Sequence, residues 1–389
     1  MLECTCVRSI RDYESRLTKV PHFAPIPTIS LNASWGSRPG AQPARVPYPQ
    51  CMRSARKDTV GNVAQSGELD LIRQIRTRSG NVRGTALRLG IGDDCALLRP
   101  RRGEELAITT DLSIAGQHFR LDWHPPQSIG HRALARGLSD LAAMGARPVA
   151  AFLSLGLPRE LTIQRGRRPA WVKSFFDGLL ALAAVYKTPL AGGDLSESPI
   201  PIADVVLGGA VPRGKALLRS TARPGHIIYV TGTLGGAAAA LCKLAEHQPC
   251  RISKKLEAEL GPHLYPQPRV AQGLWLVRHN AASAAIDISD GLSTDLTHLC
   301  EESGVASEVD AALLPVHSAA TVAQALNGGE DYELLFTAPA NARIPSRIAG
   351  VPITKIGRIV SLRRSRATVT LLTRQGSQPL NPQGWQHFS

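Results

Sequence analysis

No stretch of the chain reaches the roughly 18 consecutive apolar residues that a membrane span requires, which excludes an integral membrane protein. Met1 to Val20 hold no apolar core of the kind a secretory signal carries, which argues against export. The seven cysteines form no CxxC pair and no Cys/His spacing suited to zinc. Their odd number leaves no complete disulfide framework, and a reducing cytoplasm fits them best. Aromatic residues are scarce at 5%, so platforms for stacking bases are few. Neither GxSxG nor HExxH occurs, and no Ser/His/Asp order compels a hydrolase.

Acidic residues are also in short supply, 31 against 45 lysines and arginines, for a formal net charge of +14. The densest basic groups are Arg165, Arg167, Arg168 and Arg363, Arg364, Arg366, and the rest are scattered. This pattern reads as a solvated basic surface or as attraction for an anionic small molecule, ahead of dedicated nucleic-acid binding. What is plentiful is ordinary core material: 43% hydrophobic residues over 389 positions, enough for two or three soluble domains.

Residues 1–66 differ from the remainder. They carry seven prolines and no sustained periodicity, and read as a disordered extension or a mis-assigned start. Order is expected from Ser66, a candidate N-cap. Helical spacing then appears in 128–145 and 171–186, and strands in 106–111, 149–157 and 203–211. After a Pro- and Gly-rich break at 212–224 come strands at 226–231, 284–288, 333–336, 353–359 and 367–372, with helices at 235–244, 269–279 and 292–303. Strands and helices mix without strict alternation, so the fold class is α/β with mixed, α+β-like sheets. The expected domains are 67–213 and 214–389.

Many of the few carboxylates sit in small glycine-flanked groups: Asp93 and Asp94, Asp111, Asp140, Asp194, Asp287 with Asp290, and Glu330 with Asp331. A carboxylate on a tight turn is exposed yet rigidly held, and glycine lets a phosphate approach the backbone. Mg²⁺ takes hard oxygen ligands, commonly one or two carboxylates together with substrate phosphates. Such groups therefore point to metal-assisted chemistry on a polyphosphate. Gly209 to Ala216 matches the first part of a P-loop, but Ala216 offers no hydroxyl to a metal and Pro212 removes an amide donor, so it is set aside. His118, seven residues after Asp111, is a candidate phosphate contact.

Taken in order, LGIGDDCALL (89–98), ITTDLSIAGQHF (108–119), ALARGLSDLAAMGARP (133–148), GGD (192–194), LLRSTARPGHIIYVTGTLG (217–235), AIDISDGLSTDL (285–296), GGEDYELLFT (328–337) and the terminal GW (384–385) resemble the thiamine-monophosphate kinase family over about residues 67–389. The resemblance implies a two-domain fold like that of aminoimidazole ribonucleotide synthetase: an N-terminal domain that binds ATP and Mg²⁺ and builds a homodimer, and a C-terminal α/β domain. It implies transfer from ATP to thiamine monophosphate, giving ADP and thiamine diphosphate. It also implies that Asp94, Thr109, Thr110, Asp111, Asp140, Asp194, Asp287 and Asp290 hold Mg²⁺ ions. Gly193, Asp194, Arg219, Ser289 and, by a looser match, Phe176 correspond to nucleotide contacts. His118, Glu330 and Trp385 correspond to substrate contacts. Two departures from the family pattern, Leu195 to Pro199 after Asp194 and Ser113 to Ala115 before His118, bear on phosphate and metal contacts. Another ATP-dependent synthetase of the same superfamily, or a basic nucleic-acid-binding protein with structural acidic turns, are the alternatives. A turnover assay separates the first and a salt titration of nucleic-acid binding the second.

Overall fold

The computed structural model describes residues 68–79, 86–91, 95–164, 169–247, 254–362 and 367–384. The expected N-terminal extension, the Ser66 cap, Asp94, both dense arginine groups and Trp385 lie outside these residues.

The first half runs α1 (Glu68–Ser79), β1 (Leu87–Leu89), β2 (Leu97–Leu98), β3 (Glu104–Ile114), α2 (Pro126–Ala143), β4 (Arg147–Leu157), α3 (Trp171–Val185), β5 (Leu190–Glu197) and β6 (Ile202–Pro212). Four of the strands form a sheet in the order β3-β6-β4-β5. β6 runs antiparallel to β3 and β4, whereas β4 and β5 are parallel and joined through α3. Such a parallel pair needs a helical crossover, and the apolar α3 sequence WVKSFFDGLLALAAV supplies one.

The second half continues β7 (Ile227–Thr231), α4 (Gly236–His247), α5 (Lys254–Glu259), α6 (Gly261–Leu264), α7 (Val270–Arg278), β8 (Ala284–Ile288), α8 (Leu292–Ser303), β9 (Ala306–Asp310), α9 (Val322–Asn327), β10 (Glu333–Ala338), β11 (Arg347–Ile348), β12 (Val351–Val360), β13 (Val369–Thr373) and β14 (Gly376–Pro379). These strands build a larger sheet, β14-β13-β9-β12-β7-β10-β8, with β11 attached to β12. Among the described residues of this sheet, only β9 with β13 pairs in parallel. β8, which ends the sheet, and its neighbour β10 are buried at every position, so protein covers both of their faces.

α2 is buried along most of its length. Its core includes Ala133, Leu134, Leu138 and Leu141, and the same apolar cluster takes in Leu153, Leu207, Phe175 and, from the larger sheet, Leu334 and Phe336. A helix buried on nearly every side is one surrounded by protein, and its polar residues then need partners from the elements around it. Gly137 makes the close approach possible. A Cβ there would lie 2.4 Å from Leu207 Cδ1 and 3.3 Å from Thr109 Cγ2. The helix therefore settles against β3 and β6 one turn before Asp140.

One expectation is corrected. Gly192, Gly193 and Asp194 do not form a turn but lie within strand β5, in register with Phe152, Leu153 and Ser154. Gly193 takes φ +148°, and a Cβ on it would meet Leu153 O at 1.9 Å, so glycine here serves close strand packing. Gly209, the first glycine of the partial P-loop set aside above, sits inside β6 and forms no phosphate cradle.

Candidate functional site

Carboxylates from three elements converge where α2 meets both sheets. Asp111 comes from β3, Asp140 from α2 and Asp287 from β8. Each is held at one oxygen by a protein donor. The Thr109 hydroxyl donates to Asp140 Oδ2. The Ser139 hydroxyl donates to Asp287 Oδ2 at 2.8 Å. Arg136 Nη2 stands 3.4 Å from Asp111 Oδ1. Asp111 Oδ2 is buried and has no hydrogen-bond partner among the described residues. A buried acceptor left open is costly unless something electropositive completes it.

The electrostatics agree. Burial pushes Asp111 up to about 6; the Arg136 guanidinium opposes the rise, and Asp140 and Asp204 add to it. Burial, followed by the charge of Asp140, pushes Asp287 up to about 7. Burial raises Asp140 as well, against the Thr109 hydrogen bond and Arg219. Arg219 begins a short 3₁₀ turn, Arg219–Thr221, and is close enough to act on both Asp140 and Asp287. Among the described residues no three His, Cys, Asp or Glu side chains are gathered as ligands of one ion. The donor set nevertheless suits Mg²⁺, whose sites pair one or two carboxylates with phosphates and water.

The other expected ligands are placed differently. Asp194 is exposed on the outward face of the small sheet, aligned through Ser154 with Asp204. Thr110 points to that face too, and its hydroxyl donates to Asp204 Oδ1 at 2.8 Å. Asp204 has no counterpart in the sequence reading. Asp287 lies in β8, within the strand expected at 284–288, and is only 3% exposed. Phe176 is buried in the α2–α3 core against Phe175 and is not brought to the carboxylates.

The turns at 289–291 and 328–332 lie side by side. Asp295 Oδ2 accepts from the amides of Ser289, Asp290 and Gly291, each at 3.1 Å, and so shapes the turn that carries Ser289 and Asp290. The Glu330 amide donates to Ser289 O at 2.7 Å and the Tyr332 amide to Ile288 O at 2.9 Å. Gly384 donates to Thr294 Oγ1 at 3.0 Å, which sets the end of the described chain beside Asp290. Asp331 is a helix cap: it accepts from the Gly235 and Ala237 amides at 2.6 and 3.2 Å at the start of α4.

Glu330 is the best-supported carboxylate of the site. Burial would raise it, but the Arg132 guanidinium holds it well below the usual range, so it stays ionised. Arg132 Nη2 bonds its Oε1, and His263 Nδ1 stands 3.0 Å from its Oε2, off the line of a full hydrogen bond. His263 Nε2 meets His124 Nε2 at 2.9 Å, and the Arg120 amide donates to His124 Nδ1 at 3.1 Å. His124 Nδ1 also lies 3.1 Å from the Arg120 carbonyl, so the Glu330 carboxylate decides: it favours a proton on His263 Nδ1, which leaves His263 Nε2 to accept from His124 Nε2. Burial pushes His124 down to about 3 and lowers His263, so both rings are neutral. His118 accepts from the Ile114 amide at 3.1 Å and lines a small crevice with Ser113, Arg132 and Arg136.

Arg132, Arg136 and Asp140 follow one another at four-residue intervals along α2, one above the next on a single stripe. The sequence reading took Asp140 alone. The spacing back from it was the signal that could have found the two arginines.

Family models match two segments: AIR synthase related protein, N-terminal domain, over residues 92–211, and AIR synthase related protein, C-terminal domain, over residues 223–370. The thiamine-monophosphate kinase of Escherichia coli (strain K12) is 41% identical over 309 residues, covering 76% of this chain and 91% of that protein. The crystal structure of thiamine-monophosphate kinase from Stenotrophomonas maltophilia K279a superposes with a TM-score of 0.66 at 39% identity, covering 77% of this chain and 95% of that one. AaThiL complexed with AMPPCP and TMP gives 0.63 at 30% identity, covering 85% and 100%. With such identity across nearly the whole length of these proteins, the chain belongs to the thiamine-monophosphate kinase family.

Proposed function

We propose that the chain transfers the γ-phosphoryl group of ATP to thiamine monophosphate, releasing ADP and thiamine diphosphate. The E. coli relative at 41% identity carries this reading, and the converging carboxylates supply chemistry suited to it. Phosphoryl transfer between two anions demands positioning and charge neutralisation above all. Bound Mg²⁺ would supply that neutralisation and polarise the phosphoryl oxygens. Asp111, with its open Oδ2, Asp140 and Asp287 are the residues that would hold it, and we assign Asp94, Thr109, Thr110, Asp194 and Asp290 to further ions. Arg219, Gly193, Asp194 and Ser289 are assigned to the nucleotide, and His118, Glu330 and Trp385 to the thiamine substrate. An ionised Glu330 suits a ligand with a cationic ring and an amino group. The acceptor is a phosphate oxygen already ionised near neutral pH, so no strong base is required and transfer is direct.

The dimer implied by the resemblance finds support in β3. This long strand closes one edge of its sheet and shows Leu106, Ile108 and Leu112 to solvent, a surface that soluble monomers normally blunt. We propose that a second copy covers it. We place the reaction in the cytoplasm, where Cys95, Cys242 and Cys300, which form no disulfide with one another, would stay reduced. The domain division at 213/214 remains part of this reading.

Incubation with ATP, Mg²⁺ and thiamine monophosphate should yield ADP and thiamine diphosphate in equal amounts, with no turnover of unphosphorylated thiamine. Absence of thiamine diphosphate would refute the assignment. A covalently phosphorylated chain trapped during turnover would refute direct transfer.

A further inference from the structure

Thiamine monophosphate places a phosphate at one end and an aminopyrimidine at the other, with a cationic ring between. If Glu330 takes the thiamine portion and Asp111, Asp140 and Asp287 face the ATP phosphates, the acceptor phosphate must lie between these groups. Arg136 is the residue that stands there. Its Nη2 is 3.4 Å from Asp111 Oδ1 on one side. On the other side Tyr332 and Glu330 are near enough to act on its charge. It also shares the crevice with His118 and Ser113.

The two arginines of the α2 stripe are not equivalent. Arg132 keeps only 7% of its side chain exposed and is bound to Glu330, so it belongs to the wall of the site. Arg136 keeps 21%. Its contacts are all long: Nη1 donates to Leu112 O at 3.2 Å and to Ser113 Oγ at 3.3 Å. Bonds at this length are weak and cost little to exchange. A guanidinium matches a phosphate with two parallel N–H bonds that an ammonium cannot reproduce. An acceptor phosphate also enters beside three carboxylates, where an unanswered like charge would repel it.

We infer that Arg136 binds the phosphate of thiamine monophosphate and is the residue by which the enzyme prefers this substrate over unphosphorylated thiamine. The inference rests on the kinase reading above and adds a specificity determinant to it.

The test is equilibrium binding by calorimetry, with Mg²⁺ present and ATP absent, of thiamine monophosphate and of thiamine to the wild-type chain, Arg136→Met and Arg136→Lys. The wild type should prefer thiamine monophosphate. Arg136→Met should weaken thiamine monophosphate by about tenfold to a hundredfold, the range of a charged hydrogen bond, and leave thiamine within about twofold. Arg136→Lys should fall between. A preference in Arg136→Met equal to that of the wild type overturns the inference. If Met weakens both ligands alike, Lys decides: an intermediate preference supports the inference, and an equal loss of both ligands overturns it. Failure of the wild type to bind either compound would instead overturn the kinase reading itself.

Discussion

Replacing Asp287 with asparagine separates what this carboxylate does for function from what it costs the fold. Asp287 is 3% exposed, accepts one hydrogen bond from Ser139 and lies near Asp140 and Asp111. Asparagine keeps the shape and an oxygen for the Ser139 hydroxyl while removing the charge. The ordinary aspartate value of 3.8 becomes about 7 in the folded chain, a difference worth roughly 4 kcal/mol as a ceiling. The direction follows from proton linkage. The folded state holds a proton that the unfolded chain has released between these two values, so stability falls as pH rises through that window. The penalty is absent below about pH 4 and complete above about pH 7. In EDTA, Asp287→Asn should therefore be about 2–4 kcal/mol more stable than the wild type at pH 8, and nearly equal to it at pH 4.

Urea unfolding at the two pH values reads this directly. Mg²⁺ should raise the stability of the wild type at pH 8 and do less for the variant, whose turnover should be at least about a hundredfold lower. A variant less stable than wild type at pH 8, or a gain of the same size at both pH values, would show that Asp287 is not held among like charges.

Three further expectations can be checked independently. His263→Phe removes the ring between His124 and Glu330 and should raise KM for thiamine monophosphate by about five- to twentyfold while leaving KM for ATP within about twofold; equal increases in both would count against a role in orienting Glu330. Gly193→Ala drives a Cβ into Leu153 O in a backbone conformation that favours glycine, and should cost more than about 3 kcal/mol in urea unfolding, whereas a loss under 1 kcal/mol would mean that β5 is free to shift. Ile108→Lys sets a charge on the outward face of β3, where Ile108 is 70% exposed; light scattering should show self-association weakened at least about tenfold with the fold intact, and an unchanged dimer would place the interface elsewhere.

How much was legible follows from the kind of interaction involved. β8 and α8 were readable to the residue because an apolar run broken only by Asp287 and a 3.6-residue spacing are local properties. β5 was not, since Leu-Ala-Gly-Gly-Asp looks like a turn until the parallel partner β4 pulls it straight. Strand β9 and the short helix α9 also went unseen, being brief and flanked by polar residues. In the candidate site, Asp111, Asp140 and Asp287 could be named from their glycine- and serine-rich surroundings. Their partition could not. Asp194 lies one residue past the backbone kink at Gly193 and lands on the outward face, and strand register alone decides that. The His124–His263 contact joins positions 139 residues apart and leaves no local trace.

The element that reconciles these levels is α2. A stripe of Arg132, Arg136 and Asp140 on a helix whose other residues are mostly Ala, Leu, Gly and Ser would be a poor choice for stability alone, because buried charges carry a desolvation penalty that their partners only partly return. Each charge, however, is answered from a different part of the chain: Arg132 by Glu330, Arg136 by Asp111, and Asp140 by Thr109 and Arg219. Local sequence–structure conflicts of this sort concentrate at functional sites. The pairing also explains why the helix must be both deeply buried and tightly seated through Gly137: from the boundary between the sheets one rigid stripe offers a carboxylate at one end, a guanidinium with long contacts in the middle and a buried, paired one at the other, two turns apart. A shift of this helix by even one ångström would move all three charges together, so positions that touch only its apolar side, Leu207 foremost, are placed to alter turnover without contacting any substrate.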